Sequence, residues 1–364
     1  MTDLLEPLSL ARGGAMKNRF MLAPLTNSQS HADGTLSDAE YDWLVHRATG
    51  GFGLVMSCAA HVQRQGQGFP GQLGIFSDDH LPGLSRLATG LKAGGALSSI
   101  QLHHAGVRSD PKLTGEAAMG PSEDAEFSAR AMSEAEVEEM IEAFITAAVR
   151  AEKAGFDGVE LHGAHGYVLC NFMSPGSNHR ADRFGGSLDN RMRAVSMIIE
   201  GVRARTGPDF QLGIRISPER YGVQIGEQIE IARRLLAGDQ LDYLDLSLWS
   251  CFKPPEDAAF AHKPLIDWFM DLPRGRTRVG VAGKLTTGES CRRALEHGAD
   301  FVLLGRAAIL HHDFPKRIAT DADFQTIALP VSRAYLAGEK LSPIFIEYMN
   351  NWKGFVAQEE SEPA

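Results

Sequence analysis

A chain of 364 residues suits one large α/β domain or two small ones. Hydrophobic side chains at 43% and charged ones at 23% are the balance of a globular enzyme and exclude a disordered chain. With 36 basic against 46 acidic residues, a net charge of −10, the chain lacks the positive excess that nucleic-acid phosphates require. No apolar run approaches the roughly 18 residues of a membrane span. The N-terminal stretch MTDLLEPLSLARGG has no basic segment followed by an apolar core, so no secretory signal is read. Cys58, Cys170, Cys251 and Cys291 lie too far apart for a C-x-x-C pair or a disulfide ladder. A cytoplasmic, reducing location follows, and neither a structural zinc nor a cysteine-ligated iron–sulfur cluster is expected.

In chain order, short apolar runs start at Phe20 (FMLAPL), Gly53 (GLVMSCA), Leu97 (LSSIQLH) and Asp157 (DGVELHG). Four more start at Gln211 (QLGIRIS), Tyr243 (YLDLSLW), Arg278 (RVGVAG) and Phe301 (FVLLGR). They are rich in Val, Ile and Leu and scarcely alternate, the mark of strands buried on both faces of a parallel sheet. Amphipathic stretches separate most of them. Ser133 with Glu136 reads as a capping box before a helix ending near Gly155. Thr286 with Glu289 reads as another, before a helix ending near Gly298. Repeated β-then-α units predict an α/β fold, a (β/α)8 barrel, as a single domain over residues 1–356. No G-x-G-x-x-G follows a strand with an acidic residue behind it, so a doubly wound dinucleotide fold lacks its signature.

Two long loops, Arg108–Arg130 and Tyr167–Asn190, follow strand C-termini, the face on which barrels carry their chemistry. Residues Ala328–Val356 read as one or two extra helices, and residues 357–364 as a disordered acidic tail.

The most informative stretch begins at Glu160: ELHGAHGYVLCNFMSPGSNHRADRFGGSLDNRMR. His162, His165 and Tyr167 stand together at a barrel mouth. Two imidazoles can donate hydrogen bonds to one substrate oxygen, and a phenol two residues later can deliver a proton to a neighbouring carbon. The plain alternative is a loop whose side chains satisfy their own backbone. As a metal pair, H-x-x-H lacks a third ligand at suitable spacing, and no metal is expected.

This segment resembles the Old Yellow Enzyme family of FMN-dependent ene-reductases. KNRFMLAPLT (Lys17–Thr26) is similar to the family's first strand, IQLHHAG (Ile100–Gly106) to its third, and H-G-A-H-G-Y to its substrate-binding strand end. SPGSNHRADRFGGSLDNR (Ser174–Arg191) resembles its long loop, and VAGKLTT and LLGRAA resemble its last two strands and turns. The resemblance covers roughly residues 5 to 320 and implies non-covalent FMN, NADPH or NADH as reductant, and an activated alkene as substrate.

It implies roles residue by residue. Pro24, Leu25 and Thr26 would lie against the flavin, with Thr26 tuning its potential; on sequence alone Thr26 could equally cap its loop. Ala59, with Ala60 adjoining it, would be the small residue meeting the ring. Gln101 would bond the pyrimidine edge, its amide matching a donor–acceptor pair. Arg215, a cation inside a strand, would stabilise negative charge on the reduced flavin; the alternative is a salt bridge to an acid such as Glu160. Ala282, Gly283 and Lys284 with Gly305 and Arg306, in the loops after strands seven and eight, would hold the phosphate. His162 and His165 would hold the substrate oxygen, and Tyr167 would protonate the α carbon.

Departures are visible. Some members carry Asn where His165 stands. Val107-Arg108 replaces an Arg directly after the Gly, so that role is not carried over to Arg108. Asn27 and Ser28 stand where one subgroup has a Tyr, and Trp249 and Phe252, which follow the sixth strand, could line the pocket instead or equally serve packing. Length and cysteine spacing exclude the branch with an iron–sulfur cluster and added domain. Rival readings are a flavin barrel working oxidatively on amines or ring ketones, and a non-redox phosphate-binding barrel using Lys284 or Glu160. A flavin-binding protein without turnover is a further one. A homo-oligomer is compatible with the resemblance.

Overall fold

The computed structural model describes residues 3–358; most of the tail read as disordered, residues 359–364, lies outside the described residues. Eight parallel strands close into a barrel: β1 (Phe20–Leu22), β2 (Leu54–His61), β3 (Leu97–His103), β4 (Gly158–Gly163), β5 (Gln211–Ile216), β6 (Tyr243–Ser247), β7 (Arg278–Ala282) and β8 (Phe301–Leu304). Each pairs with its neighbours in sequence, and β8 pairs with β1. The helices behind them are α1 (Asp38–Thr49), α2 (Leu81–Ala93), α3 (Glu134–Lys153), α4 (Leu188–Arg205), α5 (Ile225–Ala237), α6 (Asp267–Met270), α7 (Gly288–Glu296) and α8 (Phe314–Thr320). After β6 the repeat shrinks to an irregular stretch and the single turn α6. No helix among the described residues is long and apolar enough to cross a membrane.

The strands do not alternate because both faces are covered: every residue of β2, β4 and β5 is buried. The capping box at Ser133 and Glu136 opens α3, the Glu136 carboxylate accepting the Ser133 N–H at 2.8 Å. The second box sits one residue later than the sequence suggested. Thr287 caps α7, and the Ser290 hydroxyl, not Glu289, accepts the N–H groups of Thr286 and Thr287.

Large rings fill the lower barrel where the paired strand offers glycine. The Tyr243 ring lies over Gly213, and the Phe301 ring over Gly280. Below them Leu8, Leu10 and Met16 of a short antiparallel hairpin pack under Met21, Leu54 and Met56. The hairpin is tied to the start of β5 by the Gln211 side chain, which donates to the carbonyls of Arg12 and Gly14 at 3.0 Å each. The hairpin therefore plugs the bottom of the barrel.

The C-terminal segment forms α9 (Arg333–Gly338) and α10 (Pro343–Met349), the extra helices expected. They are strapped to α1: Arg47, fully buried, donates to the Glu339 carbonyl at 2.8 Å and to the Ala308 carbonyl at 3.2 Å. Trp43 meets Phe345 edge-on at 5.3 Å.

A methyl group at Gly280 would sit 2.1 Å from a buried Phe301 ring carbon. Gly280→Ala is therefore expected to cost about 1–3 kcal/mol through overpacking, read as a lower thermal midpoint.

Candidate active site

A cavity of about 470 Å³ opens at the strand C-termini. Every residue that the sequence assigned to a site lines it. Pro24, Leu25 and Thr26 come from the β1 end, Ala59 from β2 and Gln101 from β3. His162, His165 and Tyr167 come from the β4 end, Arg215 from β5 and Trp249 from beyond β6. Ala282, Gly283 and Lys284 follow β7, and Gly305 and Arg306 follow β8.

The turn after β4 brings the histidines together. His165 and Gly166 both adopt left-handed backbone, φ 61° and 72°, which folds the chain sharply and returns Tyr167 beside β4. The His165 N–H donates to Ser217 at 3.0 Å, holding the turn. Tyr167 then starts a short helix, Val168–Met173, with its ring 5.0 Å from His162 and 4.3 Å from His103.

The proton positions follow from the partners. The Ala164 N–H points at His162 Nδ1, at 3.3 Å, so that nitrogen accepts and Nε2 carries the proton. Arg215 donates to the Ser247 hydroxyl oxygen at 3.3 Å, and the same hydroxyl lies 2.8 Å from His165 Nε2, able to accept from it or donate to it. His162 Nε2 and His165 Nδ1 stand 3.4 Å apart. With Ser247 accepting, His162 donates to His165; with Ser247 donating, both nitrogens carry protons, and a third atom that accepts from both, such as a carbonyl oxygen, satisfies the pair.

Both rings are held neutral. Burial lowers the pKa of His162 well below normal, and the neighbouring His165 adds to this. Burial, then the charges of Arg215 and Arg108, take His165 to about 3. Burial raises the Tyr167 pKa, so the phenol keeps its proton at neutral pH.

Beneath the histidines lies a buried polar layer. Arg215 contacts Asp245 on the adjacent strand at 3.0 Å, so its acid is Asp245 and not Glu160. Glu160 accepts from the Gln101 amide at 2.7 Å, while its other oxygen has no partner. Burial and the nearby Asp245 raise the Glu160 pKa, and burial raises that of Asp245. Glu160 does not line the cavity and stands behind Gln101, which does.

Several lining residues have no counterpart in the sequence reading: Phe69, Tyr221, Ser247, Tyr348, Met349 and Trp352. Tyr348 lies within hydrogen-bonding reach of Thr26, and with Tyr221 supplies phenols that the residues after Thr26 lack. Trp249 is 51% exposed at the rim, with Arg220 over its ring at 4.8 Å. Phe252 does not line the cavity. It packs against His297 and Arg293 of α7, because the chain turns back into the barrel wall at Cys251. The long loop after Ser174 also stays outside. Asn178 donates to the carbonyls of Phe172 and Phe184, and Arg180 clamps Asp182 and the Pro121 carbonyl.

Fold and site together define a barrel oxidoreductase, and the comparisons give its family. The model of the NADH:flavin oxidoreductase / NADH oxidase family matches residues 3–324. The "Probable NADH-dependent flavin oxidoreductase YqiG" of Bacillus subtilis is 33% identical over 327 residues, covering 86% of this chain and 87% of that protein. The NADH:fumarate oxidoreductase of Klebsiella pneumoniae is 34% identical over 88% of this chain but only 36% of its own length. Among solved structures, the old yellow enzyme homologue of Zymomonas mobilis superposes with a TM-score of 0.78 at 26% identity, covering 92% and 96% of the two chains. The chain belongs to the NADH:flavin oxidoreductase (Old Yellow Enzyme) family and is an NAD(P)H-dependent flavin oxidoreductase.

Because the Glu160 pKa is raised in the fold, from 4.5 to about 8, its contribution is full below pH 4.5 and is lost as pH rises toward 8. Glu160→Gln, neutral throughout, is expected to gain thermal stability on the parent as pH goes from about 5 to 8. Melting curves across that range check it; a constant difference would show that Glu160 does not titrate there.

Proposed function

We propose that this protein binds FMN non-covalently and uses NADPH or NADH to reduce the C=C bond of α,β-unsaturated carbonyl or nitro compounds. The observation that carries this reading is the pair of neutral imidazoles whose His162 Nε2 and His165 Nδ1 meet at 3.4 Å beside a protonated phenol, where both can donate to one substrate oxygen. The lining fits the cofactor. Gln101 keeps its amide oxygen and second N–H for a ligand, Ala59 presents only a methyl group, and Arg215 turns a guanidinium to the cavity. Lys284 and Arg306 form no ion pair among the described residues and stand beside glycines after β7 and β8, as a phosphate requires. When bound, FMN would supply two-electron hydride chemistry between NAD(P)H and the alkene.

The chain's own residues do the rest. His162 and His165 donate to the substrate oxygen, drawing electron density toward it and leaving the β carbon electron-poor. Being neutral, they pay no charge-desolvation penalty when the substrate excludes water, and their bonds strengthen as negative charge grows on the oxygen. Tyr167 delivers its proton to the α carbon. When Ser247 donates to His165 Nε2, the His165 proton lies on Nδ1 and faces the substrate oxygen. Reductant and alkene occupy the same place in turn, giving ping-pong kinetics. A cytoplasmic setting is supported by four cysteines that are all free and buried.

The test is an anaerobic visible spectrum followed through NADPH addition and then cyclohexenone. A yellow protein should bleach and then recolour; one that bleaches and stays bleached refutes alkene reduction. His162→Ala should retain FMN, lose phenol binding and slow alkene reduction by about hundredfold or more. Loss of FMN instead would remove His162 from the substrate site. Tyr167→Phe should slow the alkene half-reaction by about hundredfold and spare reduction by NADPH, with a smaller effect on nitroalkenes, whose nitronate products take a proton from water. Equal damage to both half-reactions would argue against proton donation.

A further inference from the structure

A second pocket, of about 440 Å³, adjoins the first, and Tyr167 lines both. Its other walls include Gly68, Arg108, Ser109, Asp110 and Phe127. The Arg108 guanidinium stands at the junction, 4.9 Å from the ring centre of Phe127 in this pocket and 5.8 Å from that of Tyr221 in the main cavity. No carboxylate among the described residues pairs with it. Asp110, the acid in the same wall, is the N-cap of the turn Pro111–Thr114, where it accepts the Lys112 N–H at 2.9 Å. The Ser109 hydroxyl has no partner either. Arg108 is close enough to act on the chemistry, since its charge disfavours protonation of His165 and favours ionisation of Tyr167.

Its position is fixed by the backbone. Gly106 adopts left-handed φ of 64°, and a Cβ there would meet the Val168 backbone at 3.0 Å. The Val168 N–H donates to the His104 carbonyl at 3.1 Å. The loop carrying Arg108 is thus pinned to the segment carrying Tyr167.

We propose that this junction is a subsite for a carboxylate borne by the alkene substrate on an arm from its α carbon, with Arg108 as its anchor. The proposal rests on the reading of Tyr167 as proton donor to that carbon: a substituent there extends past the phenol, and the pocket past the phenol holds a cation, beside two aromatic rings, that no carboxylate among the described residues pairs with, the acid in its wall, Asp110, being turned to the Lys112 N–H. An arginine supplies a forked pair of donors matched to a carboxylate. Phe127 and Tyr221 hold the guanidinium beside their rings while it stays open to solvent.

The experiment compares cyclohexenone carrying a carboxyethyl arm on the α carbon with its methyl ester, using the FMN-loaded enzyme and NADPH. The acid should show kcat/KM about tenfold or more above the ester, falling as salt is raised because the cation is exposed. Arg108→Gln should collapse that ratio toward one, and Arg108→Lys should restore much of it, which a purely structural role for the side chain would not produce. A ratio near one in the parent, or one unchanged in Arg108→Gln, overturns the subsite even when plain cyclohexenone is reduced. Calorimetric binding of the saturated acid and ester separates the two readings. An acid preference that needs Arg108, without turnover of any enone, upholds the subsite and removes the alkene reaction.

Discussion

The contact between Arg215 and Asp245 is the constraint from which the site's chemistry grows. A guanidinium inside a barrel needs an acid beside it, and the parallel register of β5 and β6 puts these two residues side by side. Once Asp245 is committed to Arg215, a second ionised carboxylate in the layer would be poorly compensated, so Glu160 is driven toward its protonated form beside Gln101. Arg215 also donates to Ser247, whose hydroxyl lies 2.8 Å from His165 Nε2. An ion pair buried in the barrel is thus joined through one hydroxyl to the imidazoles at the cavity. Burial and the charge of Arg215 together keep both histidines uncharged.

The residues that make the family resemblance most specific are not those that do chemistry. The loop from Ser174 to Arg191 is rich in Asn, Arg, Asp and Gly because each braces a backbone with no regular partner. Asn178 ties two carbonyls, Arg180 joins the loop to Pro121 and Met132, and Arg191 reaches the Met173 and Gly186 carbonyls. An irregular loop of this length folds one way only if side chains satisfy its backbone, so its sequence is as restricted as that of a site. The short H-G-A-H-G-Y segment, less distinctive as a pattern, lines the cavity with three side chains.

This difference explains what was legible beforehand. Strands buried on both faces announce themselves as unbroken apolar runs, and all eight were readable. Polar residues set at their C-terminal ends, such as Gln101, His162 and Arg215, stand out because a barrel interior tolerates them only with partners or a ligand. Ser247 carried no such signal: a serine at a strand end is ordinary, and its role appears only when β5 and β6 bring Arg215 and His165 to it. Tyr221 was hidden in a loop whose course depends on contacts far away in sequence. The shift of one residue at the α7 cap has the same origin, since Ser290 and Glu289 are both good candidates and local geometry chose the hydroxyl.

The C-terminal helices take this further. The family model ends at residue 324, yet Tyr348, Met349 and Trp352 wall the cavity from beyond it. They are held there by contacts to α1 and to the loop before it: Arg47 to the Glu339 carbonyl, Trp43 against Phe345, and the Ser342 N–H to Gln29. The strand ends that carry the shared reaction belong to the rigid barrel, where a change of one residue disturbs several others. The wall supplied by α10 is packed on the outside of α1 and can vary without touching the Arg215 layer. Arg108 stands in a similar position on the opposite loop, tied to Tyr167 through Gly106 but outside the barrel. A site built this way takes its deep lining from the strand ends, and its outer walls from segments that the barrel positions but does not depend on.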